Sequence, residues 1–188
     1  MTEPAAVLRR IYANEDVEPA LGWPAVYAFE EANGVVLPEP YRTFVATVTA
    51  GGRHTGPPTY GLVPLGQLPD DWPPRLQIDA AEPFPLDEAW IWEGSENERD
   101  DGISIVDVLT RGFVPLGTDG CGMDWVLVVT GSQRGHIWLL TDVGAEPFGR
   151  EFGYTTGASG FLGWVEHWHS GAEWWNATPD QQLNDKIV

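Results

Sequence analysis

The sequence predicts a domain with helices toward both ends of the chain and an antiparallel sheet in its third quarter. Three observations carry that expectation. Apolar residues recur at helical spacing near both ends of the chain, and three β-prone runs joined by glycine-rich turns occupy the third quarter. The length of 188 residues, 43% of them hydrophobic, supplies the core of one ordinary domain and little beyond it.

Taken in order, Ala5 to Tyr12 sets Leu8, Ile11 and Tyr12 at i, i+3, i+4, the pattern of a short helix. A second helix is expected from near Pro24, where proline fits a first turn, to a stop at Asn33-Gly34. Leu37-Pro38-Glu39-Pro40 leads into a third, with Tyr41, Phe44, Val45 and Val48 on one face and Gly51-Gly52 as its stop. Tyr60 to Leu65, entered from Pro57-Pro58, reads as a strand, as does Ala89 to Glu93, and Ile103 to Thr110 reads as a helical turn. Phe113 to Leu116, Trp125 to Thr130 and His136 to Thr141 follow as strands of a meander. Ser159 is the expected N-cap of a last helix through Ser170, with Phe161, Trp164, Val165 and Trp168 on its apolar face and Gly171 as its stop. The tail after Trp175 is polar and is expected to fray.

Charge narrows the partners. Twenty-eight acidic residues against ten basic ones give −18 and disfavour unaided binding to nucleic acid or anionic lipid. Twelve per cent aromatic residues, ten of them tryptophan, separate the chain from a disordered acidic tail. Half the charge lies in one stretch. From Asp70 to Asp101, eleven acids (Asp70, Asp71, Asp79, Glu82, Asp87, Glu88, Glu93, Glu96, Glu98, Asp100, Asp101) stand against Arg75 and Arg99, a local net of −9. A single cysteine excludes an internal disulfide, no secretory signal is read at Met1 to Ile11, and the longest apolar run is strand-sized, so the expected location is cytoplasmic and no membrane is engaged.

Several motifs invite chemistry and fail on spacing. His167 and His169 lie two apart on a helix, pointing about 200° from each other, and do not chelate one metal ion. Gly117-x-x-Gly120-x-Gly122 runs into a strand with no Lys-Ser/Thr after it, so it reads as a hairpin turn and not a phosphate loop. Cys121 lacks a local base, and a hydrolase reading survives only if His54, His136, His167 or His169 approaches it in space. No cofactor or metal is expected. The acid pairs match no calcium loop. They read either as a solvated face or as a docking surface for a cationic protein, with interleaved tryptophans serving as anchors or as core.

The order of motifs resembles the SUKH superfamily, which includes yeast cell-wall assembly regulators of the Smi/Knr type and many bacterial immunity proteins. Phe29-Glu30-Glu31 before Asn33-Gly34, Leu37-Pro38-x-x-Tyr41-Arg42-x-Phe44-Val45, Gly51-Gly52 and Tyr60-Gly61-Leu62-x-Pro64-Leu65 resemble its N-terminal half. Gly112-Phe113-Val114-Pro115-Leu116-Gly117, Gly120-Cys121-Gly122, Leu127-Val128-Val129-Thr130-Gly131, Arg134-Gly135-x-Ile137-Trp138 and the Phe161 to Trp168 helix are similar to actinobacterial members. The resemblance covers residues 20–170, leaving 1–19 as a helical extension, 69–101 as an acidic insertion and 171–188 as a polar tail.

What it implies is an α+β fold, a mixed or mostly antiparallel sheet with helices against it, and a non-enzymatic binding protein. The leading expectation is an immunity protein that blocks a basic toxin domain, such as a nuclease, by direct binding. The alternative is a regulatory protein for an endogenous partner, and sequence assigns no oligomeric state. Asp70, Asp71, Asp87, Glu88, Glu93, Glu96, Glu98, Asp100 and Asp101 are the expected electrostatic face, with Trp72 and Trp92 as anchors.

Overall fold

The computed structural model describes residues 3–70, 72–92, 98–149 and 159–171. In chain order its elements are α1 (Glu3–Ile11), α2 (Trp23–Asn33), α3 (Tyr41–Thr47), β1 (Gly52–Arg53), β2 (Gly61–Leu62), β3 (Trp90–Ile91), α4 (Ile105–Val108), β4 (Phe113–Gly120), β5 (Met123–Val128), β6 (Ile137–Leu140), β7 (Gly144–Pro147) and α5 (Phe161–His169). The α+β expectation holds, and the pairings between the described strands are all antiparallel. Strands β4 to β7 form a meander, and β3 adds to its far edge to give the order β3-β7-β6-β5-β4, while β1 and β2 make a separate small ribbon.

Why the central strands are apolar at consecutive positions follows from what covers them. Alternate side chains of a strand point to opposite faces, so a sheet buried on both sides loses the apolar/polar alternation of a half-exposed one. On one face Trp125, Leu127, Ile137 and Leu139 pack with Leu8, Phe44, Phe161 and Val165 from the helices. On the other, Val126, Val128, Trp138 and Leu140 pack with Trp72, Phe84, Leu86, Trp92 and Val108. The described residues between Trp72 and Val108 therefore contribute a third layer of the domain, and their β3 belongs to the main sheet. Backbone bonds hold this layer down: Phe84 N–H donates to Thr130 O (2.9 Å), Asp79 N–H to Thr110 O (2.7 Å) and Trp92 N–H to Val143 O (2.9 Å). Gly112 lies at φ 76°, and a Cβ there would stand 2.2 Å from Phe84 N, so the layer reaches the sheet only over a glycine.

Several boundaries differ from the sequence reading. The segment set apart as an extension contributes Leu8 and Tyr12 to the helix-side core, and the Tyr12 ring lies 5.1 Å from Phe44. Strand β4 continues through the glycines expected to form a loop; two bulges let Gly117, Thr118 and Gly120 pair with β5. The hairpin shrinks to Cys121-Gly122, at φ 55° and 72°, the left-handed pair that a tight two-residue turn demands. Gly52 joins β1 and does not end α3, which closes at Val48. Gly160, and not Ser159, caps α5; Ser159 O instead accepts from Ile137 N. Gly144–Pro147 adds a strand, β7, to those expected from the sequence. The polar tail beyond Gly171 lies outside the described residues.

One ion pair ties α2 to α3. Arg42 Nε and Nη2 each donate to Glu30 at 2.7 Å, and Leu37 N–H donates to Glu30 Oε1 at 2.8 Å. The guanidinium also lies 5.6 Å from the Trp23 ring and 5.4 Å from the Tyr27 ring. Burial works to raise the Glu30 pKa, but the Arg42 and Leu37 hydrogen bonds and the Arg42 charge outweigh it and hold the carboxyl below its ordinary range. Stability from a depressed carboxyl is complete above its unfolded pKa of about 4.3 and is lost as pH falls through the lower folded value.

Replacing Glu30→Gln leaves Arg42 without its counter-charge and is expected to cost about 2–3 kcal/mol in urea unfolding at pH 7, less than for a fully enclosed pair because Arg42 keeps solvent access. The deficit should shrink as the wild type is titrated below pH 4. Cys121→Gly relieves a left-handed non-glycine residue and should add about 1 kcal/mol; a lowered urea midpoint would contradict the turn assignment.

Candidate protein-binding face

The covering layer sorts its side chains by exposure. Phe84, Leu86 and Trp92 turn to the sheet, whereas Asp79, Glu82, Asp87 and Glu88 face solvent. All eight described acids between Asp70 and Asp101 are exposed, against Arg75 and Arg99. A surface of that sign, fixed on a packed layer, presents its carboxylates without first having to fold.

Arg99 organises part of this face. Its Nη2 lies 3.3 Å from Asp101 Oδ2 and 3.8 Å from Glu88 Oε1, and its guanidinium sits 5.9 Å from the Trp90 ring centroid. Glu88 and Asp101, thirteen residues apart in the acidic stretch, are thereby brought together, with Asp100 next to Asp101 in sequence and Glu98 paired by a backbone bridge to Ser104. The next element is locked separately. Ser104 Oγ accepts from Asp107 N–H, and Asp107 Oδ2 accepts from Ser104 N–H and Oγ–H, a reciprocal cap on the single turn α4. The Ser104 hydrogen bonds, side chain first and then backbone, with the Arg111 charge behind them, hold the Asp107 pKa low against partial burial.

The remaining expected site residues fall into three groups. Asp87 is exposed on the layer, and its backbone O accepts from Gln133 Nε2 at 3.3 Å. Asp70 is exposed but lines a separate cleft beside β2. Asp71, Glu93 and Glu96 lie outside the described residues. The two tryptophans expected as anchors require a correction. Trp72 and Trp92 are each 5% exposed, Trp72 edge-on to Phe113 at 5.9 Å and Trp92 donating from Nε1 to Asp142 O at 2.8 Å. Both fill the second core, as a sheet face lined by Val126, Val128 and Trp138 requires. Ile91, 51% exposed on the edge strand, is the larger accessible apolar group there, with Trp90 half-buried beside it.

No group of three or more His, Cys, Asp or Glu side chains that could hold a metal occurs among the described residues. Cys121 is exposed and hydrogen-bonds to none of the four histidines; His54 shares its cleft, with its ring 6.0 Å from that of Tyr60. Asp119, beside the glycines that resembled a phosphate loop, accepts from Trp125 Nε1 and from Thr59 N–H, both at 2.7 Å, and is structural. No described helix is long and apolar enough to cross a membrane.

Helices on one face of an antiparallel sheet and an acid-coated layer on the other define an α+β domain of the class that the motif order implies. Residues 25–166 match the model of the SMI1 / KNR4 family (SUKH-1), and the chain belongs to that family. Neither the curated proteins nor the solved structures include a match to it. The family match starts inside α2, so α1 stands before it in sequence while packing into the same core.

Arg99→Gln removes the cation shared by Glu88 and Asp101. It should cost about 1 kcal/mol in low salt, and the loss should shrink toward 0.5 M NaCl as the acids are screened. A stability unchanged at both ionic strengths would show that Arg99 does not hold this face.

Proposed function

We propose that this protein is an immunity protein that neutralises a cationic toxin domain, such as a nuclease, by covering the toxin's basic groove with the acidic layer. The supporting observation is that Asp87, Glu88, Glu98, Asp100 and Asp101 all lie exposed on a layer whose Trp72 and Trp92 are buried beneath them. A nuclease must be cationic where it grips phosphate, and a carboxylate array at fixed positions competes for the same contacts. Family membership is consistent with a toxin-immunity role. The acids set the encounter rate, and desolvated apolar contacts set the lifetime, with Ile91 and Trp90 taking the role first assigned to Trp72 and Trp92. The reaction carried out is binding, with no cofactor.

The test is co-expression with a toxin encoded beside this gene, scored by survival and by stopped-flow association of the purified pair. Reversal of Glu88, Glu98, Asp100 and Asp101 to lysine should slow association about 10- to 1,000-fold at low salt and abolish protection. Association that is indifferent to this reversal, with a folded variant, would refute the assignment.

A further inference from the structure

A second candidate surface lies at the opposite edge of the sheet. The five-stranded order puts β3, with Trp90 and Ile91, at one edge and β4 at the other, four strand spacings or about 19 Å away. Beyond β4, residues 60–63 run alongside it, Tyr60 N–H donating to Thr118 O and Val63 N–H to Leu116 O. Next to them opens a cleft of about 520 Å³, in the size range of ordinary ligand sites.

Its floor is backbone. Gly61 lies at φ 88°, where a Cβ would stand 2.0 Å from Gly52 O, so β1 and β2 close on each other without side chains between them. Tyr60 stands over Gly120, whose added Cβ would lie 3.0 Å from the ring, and is 53% exposed. Leu68, 44% exposed, supplies apolar wall. Because its rim residues are exposed, the cleft is open and suits a protruding side chain better than an enclosed small molecule.

Charge chooses the side chain. Glu18 and Asp70 line the cleft against one guanidinium, Arg53, and neither carboxylate has an ion-pair partner among the described residues. The chain's net charge of −18 works against an anionic occupant. An aliphatic stem packs on Leu68 while a cationic head reaches Glu18, Asp70 and the face of the Tyr60 ring. The geometry points to this cleft as a second docking site for the protein partner, one that receives a loop carrying arginine or lysine next to an apolar side chain. It rests on the reading that the partner is a basic protein, and it adds a contact beyond β4, at the sheet edge opposite the β3 edge where Arg99 rests on Trp90.

The chain has its own reporter, because the sole cysteine, Cys121, is exposed on the cleft wall. The probes are acetyl-Leu-Arg-Leu-amide and acetyl-Leu-Glu-Leu-amide, titrated into the full-length ¹⁵N-labelled protein. The arginine peptide should give saturable shifts at Gly61, Leu62, Thr118 and Gly120 at about millimolar concentration, and halve the reaction rate of Cys121 with a disulfide reagent at half-saturation. The glutamate peptide should do neither. A Glu18→Gln, Asp70→Asn variant, with a dispersed spectrum proving its fold, should weaken the arginine peptide about threefold or more. No shifts, equal shifts with both peptides, or shifts confined to Asp87 to Asp101 would overturn the cleft; the last would leave the acidic-face reading standing. Cleft shifts alongside a toxin complex that ignores charge reversal at Glu88, Glu98, Asp100 and Asp101 would support the cleft and remove the other reading.

Discussion

Strands β5 and β6 are apolar on both faces, and the rest of the domain is arranged to satisfy that constraint. Trp125 and Leu127 require one cover, Val126, Val128 and Trp138 another, and a sheet of this kind is unstable until both are supplied. Four helices meet the first demand by ridges of ordinary apolar spacing. The second is met by a chain with little regular structure, which buries its large side chains one at a time and fastens itself through scattered backbone bonds to Thr110, Thr130 and Val143. The acidic stretch thus contributes Trp72, Phe84, Leu86 and Trp92 to the core as well as its carboxylates to the surface.

Packing so many carboxylates on one layer raises an opposing force, because like charges repel over about a Debye length. The structure answers locally. Arg99 bridges two acids and rests on Trp90, Asp107 is absorbed into the Ser104 cap and the Arg111 pair, and Asp119 is tied to Trp125 and Thr59 on the far side of the sheet. What is left over is a set of exposed acids, Asp87, Glu98 and Asp100, with no ion-pair partner among the described residues. The Glu30 and Arg42 pair does a different service. It pins the turn between α2 and α3 through the Leu37 N–H and so fixes the helical cover against which the sheet is assembled.

Helices were the most legible elements, because the spacing of Tyr41, Phe44 and Val45 or of Phe161, Trp164 and Val165 is a local property of the chain. Strand limits were less so. Gly144-Ala145-Glu146-Pro147 has no β-propensity of its own and becomes a strand by lying between β6 and β3, and Gly117 to Gly120 extends β4 only because bulges let it follow β5. The acids of the candidate face were visible as composition, yet the direction of Trp72 and Trp92 was not. In a layer without helical or strand period, inward and outward positions are set by the sheet beneath, which lies tens of residues further along the chain. The cleft was hidden for the same reason: Glu18, Gly61, Asp70 and Cys121 share no local pattern and meet only when β2 docks beside β4.

The sorting of the covering layer separates two kinds of selection on one stretch of chain. Phe84, Leu86 and Trp92 answer to the sheet, and exchanging them disturbs the fold, whereas Asp87, Glu88 and Asp100 touch little that the fold needs. The outward set can therefore drift in number and position while the inward set stays still. If the partner is a toxin that changes, as proposed above, this layer gives the protein a surface it can rewrite without reopening the question of how it folds.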